Sequence, residues 1–233
     1  MKTKLINAGM IALMAIMPCW VQAKEQSDSF DVLGSVMDTT KKEISTKSIL
    51  KLNKEEAEKL REKVISGWWE FMQANSNAKP GEYCAATFMR AKREKSSTGV
   101  DLFKDVIAVT LFGPGGDYRG ALLGFTPITE DNAFPKLKSG QKVLVTLRQG
   151  DDPPSTLNAV YMTVGASSIP MIVFAVPSIE ALMAGMEDKL DFEVIYQGKS
   201  IANIVWHSGF KAREELQKCL AGKSFDNKSH LKD

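Results

Sequence analysis

The sequence predicts a mainly β protein, an antiparallel sandwich or barrel of about eight strands, with an amphipathic helix before the strands and a second helix after them. Three observations lead there. Apolar side chains alternate with period 2 in eight short runs between residues 83 and 206. Clear turn signals separate these runs, among them Gly113-Pro114-Gly115-Gly116-Asp117, Gly150-Asp151-Asp152-Pro153-Pro154 and Gln197-Gly198-Lys199. Strands at this even spacing are the pattern of sandwiches and barrels.

Residues 1–23 read as a secretory signal peptide. Lys2 and Lys4 form a positive start, residues 5–17 are mostly apolar, Pro18 breaks the run, and Val21-Gln22-Ala23 is a small-x-small cleavage pattern. A helix of that apolar length reaches about 20 Å, short of the roughly 30 Å hydrocarbon core, so cleavage near Lys24 is expected rather than anchoring. Ile16-Met17-Pro18 before Cys19 does not fit a lipidation site. No later stretch offers 18 consecutive apolar residues, so no stable membrane anchor is expected and the address is periplasmic or secreted. Without Lys2 and Lys4 the chain carries 28 basic against 28 acidic side chains. That balance leaves no excess of positive charge for a nucleic-acid backbone.

Residues 24–52 show no sustained period and read as a mobile leader. A single β-rich domain is expected over 53–222. Asn53 and Glu56 have capping-box spacing, and Ala57, Leu60, Val64, Trp68 and Phe71 continue at helical spacing. On this helix Trp68 lies in the stripe and is expected to be buried. Trp69 turns about 100° away and becomes the candidate partner-binding residue, exposed enough to anchor a ligand. Strands follow over 84–89, 106–112, 118–125, 142–148, 156–164, 171–176, 190–197 and 200–206. Ser178 is placed to cap a short helix over 179–186, and Ser208 one over 209–221, which Gly222 stops. The polar residues 223–233 read as a disordered tail.

Two cysteines remain after cleavage, Cys84 on the first strand and Cys219 on the last helix. In an oxidising compartment such a pair most simply forms one disulfide, and neither sits in a Cys-x-x-Cys motif.

The sequence marks no catalytic set. His207 is the only histidine outside the tail, no Gly-x-Ser-x-Gly elbow accompanies it, and beside Ser208 it reads as a capping group. Two cysteines and two distant histidines do not supply a zinc site, so no metal is expected, and no cofactor either. Asp151-Asp152 lacks calcium-loop spacing. Gly113-Pro114-Gly115-Gly116 leads into a strand rather than the Gly-Lys-Ser/Thr and helix of a phosphate loop, and reads as a hairpin turn. The basic run Arg90-Ala91-Lys92-Arg93-Glu94-Lys95 reads as a solvated hairpin tip that could steer an acidic partner.

The segment 190–219 runs strand, tight turn, strand, then Trp206-His207-Ser208-Gly209-Phe210-Lys211-Ala212 into a helix carrying Leu216 and Cys219. It loosely resembles the invasion-associated locus B family of bacterial periplasmic proteins, β-sandwiches that close with a Gly-Phe-x-x-Ala step. That resemblance implies an exported, non-enzymatic protein with no catalytic residues. The expectation is a non-catalytic envelope protein that binds a protein or envelope partner, as a secretion-system accessory or antagonist among other roles. The alternative is a cell-envelope hydrolase working through an unmarked pair of carboxylates, which would show as a cleft holding two acids.

Overall fold

The computed structural model describes residues 30–95, 101–129 and 133–225; the expected signal peptide over 1–23 and most of the expected tail lie outside the described residues. Three helices come first: α1 Asp31–Glu43, α2 Thr46–Ile49 and α3 Lys54–Ser66. Nine strands follow: β1 Trp68–Gln73, β2 Cys84–Lys95, β3 Asp101–Phe112, β4 Ala121–Pro127, β5 Lys142–Gln149, β6 Ser155–Val164, β7 Ile169–Val176, β8 Leu190–Tyr196 and β9 Lys199–Trp206. Helix α4, Ile179–Ala184, interrupts the strands, and α5, Gly209–Leu220, follows the last of them.

All nine strands belong to one antiparallel sheet in the order β1-β2-β3-β4-β7-β6-β5-β8-β9. The sheet curls into a half-barrel, so the expected mainly β architecture takes the form of one bent sheet rather than two stacked ones. Its two ends meet through side chains. Trp69 of β1 lies 5.5 Å, ring centre to centre, from Trp206 of β9. The Arg90 guanidinium on β2 donates to the Val205 carbonyl of β9 and to the Ile65 carbonyl of α3. Residues Arg90 to Lys95, expected at a solvated loop, are therefore strand, and Arg90 ties three elements together.

Strand alternation sends side chains to two cores. The concave one holds Phe88, Val109, Leu123, Phe125, Phe192 and Trp206, closed by Ala212, Leu216 and Cys219 of α5. The convex one holds Ala85, Met89, Ala108, Phe112, Met162 and Met171 under Leu33 and Met37 of α1. The Cys84–Cys219 disulfide is present, its Cα atoms 5.9 Å apart, and joins α5 to β2.

Three local expectations are overturned. Helix α3 opens with the anticipated capping box, the Glu56 amide donating to Asn53 Oδ1 at 2.9 Å and the Asn53 amide to Glu56 Oε2 at 3.1 Å. It stops at Ser66, however, because Gly67 takes φ 89°. A Cβ at Gly67 would stand 2.3 Å from the Phe88 ring, so only glycine fits the turn into β1. Trp68 and Trp69 are thus on a strand and point to opposite faces.

The leader is the second correction. Residues 24–52 contain α1, whose Leu33, Met37 and Thr40 are buried, as is Ile44 at its C-terminal end. These positions keep helical spacing, hidden in the sequence by the Ser, Thr and Asp between them. Asp38 accepts hydrogen bonds from the Ala166 and Ser167 amides, at 2.7 and 3.3 Å, which fastens α1 to the β6–β7 turn. The tail expected from 223 is also partly docked, since Phe225 stacks on Phe71 at 6.0 Å.

The caps divide. Ser178 accepts from the Ala181 amide and caps α4 as expected. Ser208 instead sits at φ 57° and makes no side-chain cap; its hydroxyl meets His207 Nδ1 at 3.0 Å.

Candidate functional site

On the convex face, beyond the N-terminal end of α1, the structure contains an apolar cavity of about 300 Å³. Its floor crosses three neighbouring strands: Leu122 on β4, Val173 and Ala175 on β7, Val160 and Met162 on β6. Leu122 pairs with Ala175, and Val173 with Val160, so the floor follows the ladder from strand to strand. Phe30, just before α1, forms one wall and packs against Phe112 at 5.2 Å and edge-on to Tyr83 at 6.3 Å.

The opposite wall explains the glycine-rich turn. Tyr83 has φ 52°, a left-handed conformation that is costly for an aromatic residue. That twist, held by the Tyr83 amide donating to the Pro114 carbonyl at 2.8 Å, lays the ring across Gly115 and Gly116. A Cβ on Gly115 would lie 2.6 Å from the Tyr83 ring carbons, and one on Gly116 2.7 Å from its hydroxyl. The run Gly113-Pro114-Gly115-Gly116 is a turn, as read from the sequence, and its glycines admit an aromatic ring.

Tyr118 completes the rim. It is bridged to Gly115 rather than opening β4, and its hydroxyl donates to the Ala121 carbonyl at 3.0 Å. Partial burial raises its phenol above the usual 10.0. Tyr118 is nonetheless 42 % exposed, and Leu144, on the strand that pairs with β6, is 61 % exposed.

No side chain lining the cavity carries a charge. Among the described residues no group of three or more histidine, cysteine or carboxylate side chains is gathered as a metal site. A second, wider groove of about 550 Å³ lies among the N-terminal helices, but Lys42, Glu43 and Glu56 line it beside Leu52 and Leu60.

The residues singled out from sequence fall elsewhere. Trp69, the expected exposed anchor, is 4 % exposed and lies in the concave core against Phe88 and Trp206. Its indole Nε1 donates to the His207 carbonyl at 2.7 Å. The expectation fails because β1, not a helix, carries the two tryptophans. Trp68 is the half-buried one, with its Nε1 donating to Glu70 and the Lys63 ammonium 4.7 Å above its ring. His207 joins the end of α3 to the start of α5: Nε2 lies 3.2 Å from the Ser66 carbonyl, and the ring stands edge-on to Phe88. Asp151 and Asp152 are exposed in a turn.

Tyr83, Tyr118 and Phe30 were not singled out. The available signal was Tyr118 two residues beyond the Gly113-Pro114-Gly115-Gly116 turn, whose glycines admit a close neighbour, whereas Tyr83 reaches that turn only through the pairing of β2 with β3. No protein-family model, curated protein or solved structure matches this chain.

Proposed function

We propose that this is an exported, non-catalytic protein of the bacterial envelope that binds a protein or envelope partner through the cavity bordered by Tyr83 and Tyr118. One observation carries the reading: an apolar cavity of about 300 Å³ opens on the sheet's convex face beside a half-exposed tyrosine. Cavities of this size, apolar with a few polar groups at the rim, are the usual form of binding sites in small domains.

The signal-like residues 1–23 and the Cys84–Cys219 bond support export, since disulfides persist in oxidising compartments. No described helix is long and apolar enough to cross a membrane. The likeness of segment 190–219 to the invasion-associated locus B family agrees with an envelope role, within which a secretion-system accessory or antagonist is one form. The uncharged lining supports binding over carboxylate-based glycan hydrolysis, which places two acids beside the scissile bond.

The test is capture from periplasmic extract by the oxidised protein and by Ala175→Trp, a substitution on the cavity floor at a position exposed to solvent. A bound protein is identified by mass spectrometry and a bound lipid by extraction. The reading expects a partner that the wild type retains and the variant loses, with the melting temperature of the two alike. Equal capture by both proteins would contradict it.

A further inference from the structure

We infer that the N-terminal helices are a contact surface for a second copy of this chain, with Leu50 of each copy seated in the groove beside α3 of the other. This surface lies at the far end of α1 from the cavity of Tyr83 and Tyr118, and does not rest on the reading of that cavity.

Helix α3 is poorly covered. Ala57, Leu60 and Val64 keep helical spacing, yet Val64 alone of the helix is buried. Leu60 instead borders two grooves, the one of about 550 Å³ shared with Leu52 and another of about 260 Å³ shared with Ile49 and Ala57. Leu50, in the turn after α2 and next to Ile49, projects beside them and is 81 % exposed. Among the described residues it is the most exposed large apolar side chain. A leucine side chain needs on the order of 100 Å³ at interior packing density, so either groove admits one. A projecting leucine beside an open apolar groove is self-complementary: a two-fold axis sends each Leu50 into the other copy and removes both from water.

The charges match that arrangement. Exposed Lys47 and Lys51 flank Leu50, so the projection is basic. Where it enters, the groove is acidic: Ala57 has Glu56 and Glu58 on either side, while Lys54 and Arg61 stand about a turn away at each end. On the α1 side Lys42 and Glu43 offset each other. The remaining charges of α3 are turned to other uses. Glu55 pairs with Lys59 at 2.6 Å, Lys63 stands over the Trp68 ring, and Glu62 lies on the side away from Ala57. Lys51 and Glu58 are in no ion pair among the described residues. A second copy therefore brings Lys51 to Glu58 and receives the same contact in return. An acidic helix laid in the groove would meet Glu56 and Glu58 instead, and a basic one would meet the lysines around Leu50.

The test is sedimentation velocity of the oxidised protein over about a hundredfold range of concentration, across which the wild type is expected to pass from monomer to dimer. Leu50→Glu should weaken the association by about tenfold or more, and Leu50→Met, which keeps an apolar side chain, should change it by less than about threefold. Lys51→Glu and Glu58→Lys should each weaken it by about fivefold, since each sets like charges face to face. An equal mixture of those two variants should recover the dimer, because both facing pairs are then again of opposite sign. Melting temperatures like that of the wild type show that each variant is folded.

A wild type that stays monomeric throughout would overturn the proposal, as would a dimer that survives Leu50→Glu or a mixture that stays monomeric. A monomer with residues 49–60 protected from amide exchange would overturn it too, by showing that another segment of the chain covers the groove. Association lost in Ala175→Trp but kept in Leu50→Glu would sink this surface and move the contact to the cavity of Tyr118.

Discussion

At the scale of single residues, the adjacent tryptophans are the sharpest test of the structure. Trp69 is buried with its indole hydrogen-bonded to the His207 carbonyl, whereas Trp68 is half-buried against Glu70 and Lys63. Trp69→Ala should therefore cost about 3–5 kcal/mol of stability, and Trp68→Ala about 1–2 kcal/mol. Trp69→Phe, which keeps a ring and loses the hydrogen bond, should fall between wild type and Trp69→Ala in urea denaturation. A helix through these positions reverses the order, so the two denaturation curves separate the alternatives. The sequence misleads here because Ala57, Leu60, Val64, Trp68 and Phe71 keep helical spacing across a boundary that only Ser66-Gly67 marks. Asp31 gives a second residue-level test. The Ser76 hydroxyl first, and then the Ser76 amide at 2.9 Å, hold its carboxyl below the ordinary 3.8, against the opposing effect of desolvation. A depressed folded-state pKa contributes stability that is present above the unfolded value and lost as pH falls through the folded one. Asp31→Asn should thus be less stable than wild type at pH 7, and the gap between their melting temperatures should close below about pH 3.8.

At the scale of elements, α1 and α5 cover the convex and concave faces of one sheet, and each has its own fastening. Helix α1 approaches the β6–β7 turn so closely that a Cβ on Gly34 would lie 2.5 Å from the Gly165 amide nitrogen. Gly34→Ala should cost about 1–3 kcal/mol and lift the helix from the sheet. Limited proteolysis is the readout: cleavage within residues 44–53 should come early in the variant and late in the wild type. Helix α5 is held by Ala212, Leu216 and the Cys84–Cys219 bond, which closes a separation of 135 residues. Chain-entropy reasoning makes that bond worth at most about 5 kcal/mol. Cys219→Ala should lower the melting temperature and raise amide exchange in 209–220 before it does so in the strands. This pairing was legible because two cysteines in an export setting leave little choice. Most strands were legible too: β5 and β8 bury one face and so write period 2 into the chain, while β4 and β7, buried on both faces, show as short apolar runs between turns. Helix α1 was not, because Thr40 serves as one of its buried positions and polar residues break the visible stripe.

At the scale of the whole molecule, the sheet order places sequence-distant strands side by side. The succession β4-β7-β6-β5-β8 is dictated by which edges remain open after each hairpin, information that period and turn chemistry do not carry. Curling brings Trp69 and Trp206 together and makes a single sheet do the work of a two-sheet core. The cavity inherits that difficulty. Its walls come from the start of α1, the residue before β2, the turn before β4 and three strands, so no continuous segment announces it. The candidate anchor chosen from sequence was an aromatic pair; the aromatic residues at the opening are tyrosines held by a strained backbone and a glycine turn. The claim that a partner seats there is tested most directly by photocrosslinking in living cells, with p-benzoylphenylalanine replacing Tyr118 at the rim or Phe210, an exposed residue of α5, as control. The account predicts a discrete adduct from position 118 that disappears when Ala175→Trp fills the cavity, and none from position 210. An adduct from position 118 that persists with the cavity filled, or the same products from both positions, would contradict it.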